Sequence, residues 1–416
     1  MNLTGREREI VDLLRAEPLL DAASIAERIG STRAAVSVHL SNLTRKGVVL
    51  GRGYVVRPET GSVLVVGGAV LDTKVRTTSA PVIGTSNPGT ASAAVGGVGR
   101  NIAENLARLG SPTVLVAPVG DDPAGETVVQ RTAAAGVECR HVVRSAHPTG
   151  TYTAVLGDGG ELHIAVADMR ATDELTVADL SVVPTLLAGA HALVVDANLH
   201  APVVRWLLSR AEEAGVLVVL DPVSVAKATD VAPVLDGSLP VHTVTPNVDE
   251  LGALLGERVE NTVDAVRAAA LRLHARGVRH VWVRRGTNGS LLSVAPPPSD
   301  DGPRAGGGPA TRGGGPAIRG GGPAARGDAT ASRPRVVLVD APPVDVADVT
   351  GAGDSMTAGY VHALLEGADV VEAARVGQAV AALTCASTET VRPDLTAALV
   401  AAHVTPDHPH TEEIPA

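Results

Sequence analysis

The residues best suited to chemistry lie in the segment Asp348-Val-Thr-Gly-Ala-Gly-Asp-Ser-Met-Thr-Ala-Gly-Tyr360. A β-branched run at 336–339 precedes this segment, and small helix-compatible residues follow its glycines, which predicts a strand, a tight turn and a helix start. Gly351 and Gly353 let successive backbone N–H groups point at one spot. The positive end of the helix adds to this, so the segment predicts an anion site whose natural ligand is phosphate.

An anion site does not explain Asp354, because a carboxylate beside the glycine turn repels phosphate. One interpretation is general-base chemistry, in which Asp354 takes a proton from a hydroxyl while the backbone steadies a transferring phosphoryl group. The other interpretation is a helix N-cap, since aspartate is favoured at helix starts. The segment by itself leaves both interpretations open.

A second glycine-rich segment is Gly96-Gly-Val-Gly-Arg-Asn-Ile-Ala-Glu-Asn-Leu-Ala-Arg-Leu-Gly110, which leads into an amphipathic helix. Its glycines allow a ligand to approach the backbone. Asn101, at the helix start, can donate to and accept from vicinal hydroxyls. A helix N-terminus packed by small residues is the alternative.

A third segment is Thr245-Pro-Asn-Val-Asp-Glu-Leu251. Asn247 and Glu250 stand three apart at the start of a helix, where they can together hold a hydrated Mg²⁺. A cap followed by a first-turn acid gives the same spacing. Arg285-Gly-Thr-Asn-Gly289 is similarly open between a nucleotide phosphate turn and a hairpin.

The elements that must position these segments form an alternating pattern from residue 63 to about 400. β-Branched runs alternate with Ala/Leu/Arg helical patterns, which predicts a mostly parallel sheet covered by helices on both faces. Asp72, Asp221, Asn247 and Gly286 each follow a predicted strand, where ligands bind in such sheets. Two stretches, 73–95 and 149–168, break the alternation and predict a small β-lid over the site.

Composition bounds the class of protein. The chain has 416 residues, of which 45% are hydrophobic and 19% charged, as in ordinary globular proteins. The net charge of −10 argues against a chain that coats nucleic acid over its whole surface. Two cysteines, no apolar run of about 18 residues and no secretory h-region favour a cytoplasmic protein.

Residues 1–57 stand apart, with nine basic and six acidic residues. A capping box at Thr4 and Glu7 opens the first of three short predicted helices, and a small hairpin follows at 48–56. This arrangement resembles the winged helix-turn-helix of bacterial transcription factors. The basic side chains that would meet DNA phosphates lie on or near the third helix and at the wing tip: Arg33, His39, Arg45, Lys46 and Arg52. A packing or dimerisation module is the alternative.

Residues 58–62 are a predicted linker to the catalytic part at 63–403. Residues 296–334 are low in complexity, with Gly-Gly-Gly-Pro-Ala recurring every seven residues. Such a segment buries too little surface to order itself, so we predict a disordered insertion between two strands. We also predict a disordered tail at 404–416.

Taken together and in this order, the motifs resemble the ribokinase-like (PfkB) family of carbohydrate kinases. The resemblance runs from about 63 to 400 and rests on the segments at 96–110, 247–250 and 348–354. It implies a three-layer α/β/α fold, ATP and Mg²⁺, with K⁺ as a further candidate. Ser86-Asn-Pro-Gly89, Val166-Ala-Asp-Met169 and Asp221-Pro-Val-Ser224 are written as in the pseudouridine kinase subgroup.

The resemblance implies a role for each motif. Asp354 would be the base acting on a ribose 5′-hydroxyl, with Gly351, Ala352 and Gly353 as the anion hole. The remaining implied residues are substrate-binding Asp72, Asn87, Gly97, Asn101, Tyr152 and Thr153; nucleotide- and Mg²⁺-binding Asn247, Glu250, Arg285, Gly286 and Gly289; and the monovalent-cation positions Asp348 and Thr350.

The function that this resemblance implies is ATP-dependent phosphorylation of pseudouridine to pseudouridine 5′-phosphate, with regulation through DNA as an addition. Ribose, another nucleoside or a phosphosugar is the alternative acceptor. A sugar- or nucleoside-sensing transcriptional regulator is the alternative class. A homodimer formed through the lid is a further expectation from the family.

Overall fold

The computed structural model describes residues 4–16, 20–45, 48–49, 61–296, 334–405 and 408–414. Near the N-terminus, three helices pack around a small aliphatic core that includes Ile10, Ile25 and Leu43. The helices are α1 (Gly5–Ala16), α2 (Ala22–Arg28) and α3 (Arg33–Arg45). The predicted capping box is present, since Thr4 N donates to Glu7 Oε2 and Glu7 N donates to Thr4 Oγ1. Most of the predicted hairpin at 48–56 lies outside the described residues.

A nine-stranded, mostly parallel sheet forms the centre of the larger part of the chain. Its order is β15-β14-β13-β12-β11-β10-β9-β1-β4. The pairs β12–β13, β13–β14 and β14–β15 are antiparallel, and the other neighbours are parallel. The strands are β1 (Ser62–Val66), β4 (Thr113–Val116), β9 (Ala190–Asp196), β10 (Leu217–Asp221), β11 (Val241–Val244), β12 (Val278–Arg284), β13 (Ser290–Val294), β14 (Arg335–Val339) and β15 (Thr411–Ile414). The central strands are almost wholly apolar because both faces of the sheet are covered.

Helices cover the two faces and complete three layers. Leu64 and Val66 belong to the core on one face, and Val63 and Val65 to the core on the other, as alternation along a strand requires. One face is packed by α7 (Val183–Leu187), α8 (Ala201–Ala214), α9 (Val225–Val231), α10 (Val248–Leu255) and α11 (Val263–His274). The other is packed by α4 (Val98–Arg108), α5 (Pro123–Ala134), α12 (Ala352–Leu365) and α13 (Val370–Cys385). The predicted fold class is confirmed.

Several short elements lie outside the three layers and outside the lid. They comprise α6 (Arg170–Asp173), α14 (Ala397–His403), the parallel pair β5 (Pro118–Gly120) and β6 (Val143–Ser145), and three 3₁₀ turns at Val177–Leu180, Ala232–Val234 and Gly286–Asn288. In the described parts of the chain, no helix is both long and apolar enough to cross a membrane.

A separate four-stranded sheet corresponds to the predicted lid. Its order is β3-β2-β7-β8, from β2 (Val70–Thr77), β3 (Gly89–Gly96), β7 (Gly150–Leu156) and β8 (Leu162–Asp168). Asp72 pairs with Tyr152 across β2 and β7, so the two side chains lie on the same face of the lid.

The predicted disordered tail is wrong for residues 411–414. They form β15, which pairs along most of β14 and covers that edge of the sheet. Arg335 donates to Glu413 across this pair. The low-complexity insertion joins β13 to β14, which are antiparallel neighbours; its residues 297–333 lie outside the described residues.

Candidate active site

The loop at 348–351 delivers the start of α12 to the carboxyl ends of the central strands. Gly351 is the N-cap of this helix with φ 79°, and a Cβ at this position would overlap the carbonyl oxygen of Thr390. Only glycine therefore allows this turn without strain. The first N–H groups of α12 and its positive dipole end face the site, which suits an anion.

Asp354 lies in the first turn of α12 and is half-buried. The Asn101 side-chain amide donates to Asp354 Oδ2 at 2.8 Å. Burial raises the pKa of Asp354 to about 7, and the nearby Asp221 carboxylate adds to this, against the opposing effects of Asn101 and Arg284. A carboxylate whose pKa lies near neutrality can accept a proton and release it again, as general-base catalysis requires.

A cavity of about 300 Å³ opens beside Asp354. It brings together residues from the lid, the α4 loop and the α12 loop, which are far apart in sequence. Burial raises the pKa of one of them, Asp72. The sequence-predicted residues that line the cavity are Asp72, Gly97, Asn101, Tyr152, Thr350, Gly351 and Asp354.

Gly97 brings the start of α4 close to the loop that follows β1. It is the N-cap of α4 with φ 98°, a backbone conformation that side chains other than glycine rarely adopt. A Cβ there would also overlap the carbonyl oxygen of Gly68. The fold therefore requires glycine at this edge of the cavity.

A second cavity, of about 460 Å³, lies on the other side of the α12 start. Gly286 and Gly289 line it, together with Ala352 and Gly353 of the predicted anion hole. Much of its remaining wall is apolar: Ala341, Pro342, Pro343, Val344, Val346, Val349, Met356, Ala381 and Ala382. Residues 351–354 thus contribute to both cavities, so a group bound in one can reach a group bound in the other at the helix start.

Arg284 is a largely buried cation below this helix start. Its guanidinium pairs with Asp221 at 3.2 Å and with Glu250 at 3.3 Å. Burial opposes its charge, but the two carboxylates outweigh that effect and raise the pKa of Arg284. A Cβ at Gly353 would overlap Arg284 Nη1, so the absence of a side chain there lets the cation approach the anion site.

Two buried aspartates hold the loops of the site. Asp196 accepts from the backbone N–H groups of Gly68 at 2.8 Å and Gly99 at 2.6 Å, and burial raises its pKa to about 6. Asp221 accepts from Val223 N at 2.9 Å and from Thr357 Oγ1 at 3.2 Å. These bonds connect the ends of β9 and β10 to the α4 loop and to α12.

Asn247 and Glu250 form a reciprocal capping box at the start of α10. Asn247 N donates to Glu250 Oε2 at 2.8 Å, and Glu250 N donates to Asn247 Oδ1 at 2.8 Å. Burial raises the pKa of Glu250. The cap that the spacing allows is therefore present. Neither residue lines the two cavities, and Arg284 connects this pair to the site.

Asp348 and Thr350 form a local turn. Asp348 Oδ1 accepts from Thr350 N at 2.9 Å and from Thr350 Oγ1 at 2.7 Å. Among the described residues, no group of three or more His, Cys, Asp or Glu side chains could hold a metal ion by itself.

Like Asn247, Glu250 and Asp348, the predicted residues Arg285, Asn87 and Thr153 line neither cavity. Arg285 donates to Asn261 Oδ1 at 3.1 Å, and its neighbour Arg284 occupies the position expected of it. Asn87 is exposed and bonds to the backbone of its own loop, including Val82. Thr153 follows Tyr152 along β7 and so points to the opposite face of the lid.

Sequence reasoning also missed residues of the first cavity. Lys227, from α9, donates to Asp173 Oδ1 at 3.2 Å and to the carbonyl oxygen of Asn198 at 3.4 Å, and all three line the cavity. Val223, another lining residue, has φ 69°, a strained conformation for a β-branched residue. The segment 221–224 was a usable signal, because it leads directly into α9.

In the N-terminal part, Arg33 is exposed at the start of α3 and His39 is half-buried on the same helix. Lys46, Arg52 and the side chain of Arg45 lie outside the described residues.

Comparison with known proteins identifies the family of this chain and its N-terminal domain. The sequence pattern of the pfkB family carbohydrate kinases matches residues 61–302 and 325–397, and that of winged helix-turn-helix DNA-binding domains matches residues 3–49. The uncharacterized sugar kinase YeiI of Escherichia coli (strain K12) is 31% identical over 397 residues, which cover 95% of this chain and 97% of that protein. Pseudouridine kinase of the same organism is 28% identical over 343 residues, covering 82% and 96%.

Solved structures show the same fold. A carbohydrate kinase from Agrobacterium tumefaciens aligns with a TM-score of 0.65 at 28% identity, covering 85% of this chain and 100% of that one. Ribokinase of Arabidopsis thaliana, complexed with ribose and ATP, aligns with a TM-score of 0.63 at 23% identity, covering 82% and 98%. The chain therefore belongs to the pfkB family of carbohydrate kinases, which transfer phosphate to a hydroxyl group of a sugar or nucleoside, and it carries an N-terminal winged helix-turn-helix domain.

Proposed function

We propose that this kinase transfers the terminal phosphoryl group of ATP to the 5′-hydroxyl of pseudouridine. The observation that carries the proposal is the position of Asp354, which lines the acceptor cavity while the adjoining Ala352 and Gly353 line the second cavity. Transfer between two substrates requires such a shared boundary, because the reacting atoms must meet in line.

On the acceptor side, Asp354 would take the proton of the attacking hydroxyl. Its pKa of about 7 leaves a large fraction of the carboxylate free to do so at neutral pH. Asp72, Asn101 and the backbone at Gly97 would hold the ribose hydroxyls, since they line the same cavity. Transfer would be direct, with no phosphoenzyme.

On the nucleotide side, the apolar wall of the second cavity suits an adenine ring and the glycine turn at 286–289 suits phosphates. The start of α12 and Arg284 would stabilise negative charge on the transferring group. Mg²⁺ bound to the nucleotide supplies further charge neutralisation. Asn247 and Glu250 would organise its water shell from behind Arg284.

A nucleoside acceptor is favoured over a plain sugar by Lys227. Its ammonium offers hydrogen bonds to the acceptor cavity, and the carbonyl oxygens of a pyrimidinedione base are suitable acceptors. Tyr152, 39% exposed on the cavity-facing side of the lid, offers a ring against which a base can pack. Pseudouridine kinase among the relatives supports the same class of acceptor.

The experiment is a panel of acceptors with labelled ATP: pseudouridine, uridine, other nucleosides, ribose and phosphosugars. We expect pseudouridine to give the highest kcat/KM. In a Lys227→Met variant, kcat/KM for pseudouridine should fall while that for ribose changes little. Preference of the unaltered enzyme for ribose or a phosphosugar would refute pseudouridine as substrate and leave the kinase assignment in place.

Asp348 and Thr350 are our proposed positions for a monovalent cation, since both belong to the loop that leads into the N-cap of α12 at Gly351 and offer carboxylate and backbone oxygens. The measurement is kcat in K⁺ against the same concentration of a tetraalkylammonium salt. Equal rates in the two salts would remove this part of the proposal.

A second function is suggested by the winged helix-turn-helix match and by the exposed Arg33 on α3. We propose that residues 1–57 bind operator DNA and that nucleoside binding changes this affinity. Mobility shifts with DNA from upstream of its own gene, at low salt and with or without pseudouridine, test it. We propose a cytoplasmic location on the same grounds, because ATP, DNA and a reducing environment for Cys139 and Cys385 coincide there.

The outer face of the lid is our proposed contact with a second copy of the chain. Leu162, Ile164 and Val166 of β8 are 56%, 59% and 62% exposed, and the strand register places Val155 beside them. Such a continuous apolar face favours a partner of the same character. Light scattering of the native chain against an Ile164→Glu variant tests it; a native monomer would refute the dimer.

A further inference from the structure

Arg100 is a buried arginine beside the acceptor cavity that the proposed chemistry does not use. It lies in the first turn of α4 and is only 3% exposed. A guanidinium is costly to bury unless its donors and its charge are satisfied. Its contacts therefore indicate what it holds in place.

Those contacts converge on Asn101. Arg100 Nη1 donates to Asn101 Oδ1 at 2.8 Å and to the carbonyl oxygen of Val95, at the end of the lid strand β3, at 3.3 Å. Arg100 Nε donates to Thr132 Oγ1 at 3.2 Å, and Nη2 pairs with Glu104. Although burial lowers the pKa of Arg100 to about 10, the guanidinium remains charged at neutral pH.

The orientation of the Asn101 amide matters because its two ends are chemically opposite. Its NH₂ group donates to Asp354, whereas its oxygen would repel that carboxylate if the amide were turned round. A cation fixed at the oxygen end excludes the turned orientation.

We propose that Arg100 is a positioning residue for phosphoryl transfer: it fixes the Asn101 amide so that one oxygen of Asp354 is engaged and the other is free for the acceptor hydroxyl. The inference rests on the proposed role of Asp354 as the base. Since Arg100 also bonds to Val95, it connects this orientation to the end of a lid strand.

Loss of Arg100 should change how activity depends on pH. The charged groups around Asp354 are Asp221 and Asp196 at the ends of β10 and β9, Arg284 at the end of β12, Arg100 itself, and Asp72 and Lys227, which line the same cavity from the lid and from α9. Removing the Arg100 cation, and with it the fixed donor from Asn101, disfavours the Asp354 carboxylate. The acid limb of kcat should therefore move to higher pH.

Arg108 is a matched control on the same helix. It also pairs with Glu104, at 2.6 Å, and it bonds to the carbonyl oxygen of Pro393, but no described bond joins it to Asn101. Arg108→Met therefore perturbs the Glu104 cluster without breaking the connection to Asp354.

The experiment compares Arg100→Met, Arg100→Lys and Arg108→Met in the full chain by melting temperature and by kcat and KM across pH. We expect Arg100→Met to lower kcat at pH 7 by about 10- to 100-fold, as misplaced catalytic groups do, with KM for ATP nearly unchanged. Arg100→Lys should recover part of the loss, and Arg108→Met should behave like the unaltered enzyme. A folded Arg100→Met variant with the kcat and pH profile of Arg108→Met would overturn the proposal.

A double variant separates positioning from a merely structural role. Because Arg100 is proposed to act mainly through Asn101, adding Arg100→Met to Asn101→Ala should lower kcat by a much smaller factor than Arg100→Met does in the unaltered enzyme. Additive losses would contradict the proposal. If Arg100→Met does not fold, Arg100→Lys carries the test, and a rate and acid limb equal to those of the unaltered enzyme would refute it. Failure of the proposed function itself would show separately in the unaltered enzyme, as poor transfer to pseudouridine compared with another acceptor, and the variants would then be compared with that acceptor.

Discussion

Replacing Asn101 by alanine removes the one described hydrogen bond to the side chain of Asp354, at 2.8 Å. A hydrogen bond to a charged group contributes about 1.5–3 kcal/mol, and one pKa unit corresponds to about 1.4 kcal/mol. The bond favours the carboxylate, so its loss should raise the pKa of Asp354 from about 7 by about one to two units.

The consequence for catalysis follows from the fraction of Asp354 that is unprotonated. At pH 7 that fraction should fall from about a half to between about a tenth and a hundredth, so kcat falls about 5- to 50-fold on this ground alone. Since the base is only protonated and not lost, much of the rate should return at pH 9.

The assay is steady-state transfer from labelled ATP to saturating acceptor between pH 5.5 and 9.5. Tyr152→Phe is the control, because it alters the acceptor cavity without a described contact to Asp354 and should change KM without moving the acid limb. An Asn101→Ala variant that loses activity by the same factor at every pH would refute this reasoning.

Two further predictions concern the arginines and histidines of the sheet. Arg284→Met leaves Asp221 and Glu250 buried without their cation and should lower the free energy of unfolding by about 3–5 kcal/mol, whereas Arg285→Met should change it by less than about 1 kcal/mol; equal losses in chemical denaturation would contradict the assignment. Burial lowers the pKa of His242 to about 4 and that of His280 to about 3, so both imidazoles stay neutral in the folded state under conditions where they bind protons in the unfolded state. Their contribution to the free energy of unfolding is therefore fully present above pH 6.5 and falls as the pH drops from there towards 4. His280→Gln should flatten that loss in melting curves recorded against pH, and an unchanged slope would count against it.

Asp354 and Asn101 could be expected at one cavity from the sequence, because each stands at a helix start that must face the carboxyl edge of the sheet. Asp72 was expected there at the end of a central strand, but it lies within the lid strand β2 (Val70–Thr77). The structure brings all three to that cavity. The arginine of the second cavity, by contrast, was predicted at the wrong position. The sequence motif suggests Arg285, whereas Arg284 lines that cavity. β12 ends at Arg284, and side chains alternate across a strand, so a shift of one residue reverses the direction of the side chain. The pattern of β-branched residues alone does not fix that register.

Lys227 and the C-terminal strand were missed for a different reason, since tertiary context decides both. Lys227 follows a turn with a positive φ at Val223, a conformation that β-branched residues disfavour, so local propensity does not predict the path of this segment to the cavity. Thr411–Ile414 carries two glutamates and one aliphatic residue, so its strand arises from pairing with β14 rather than from its own pattern. Tertiary context also decides the position of Asn87, whose side chain bonds to the backbone of Val82 in its own loop and does not reach the cavity.

The central claim is that the Asp354 carboxylate activates the acceptor hydroxyl, and the most direct test is single-turnover transfer by Asp354→Asn. The variant keeps the size of the side chain and should bind ATP as tightly as the unaltered enzyme. We predict a rate of transfer to pseudouridine lower by about 10²- to 10⁴-fold, the usual contribution of a positioned base. A rate within about threefold of the unaltered enzyme, with ATP binding intact, would contradict the account.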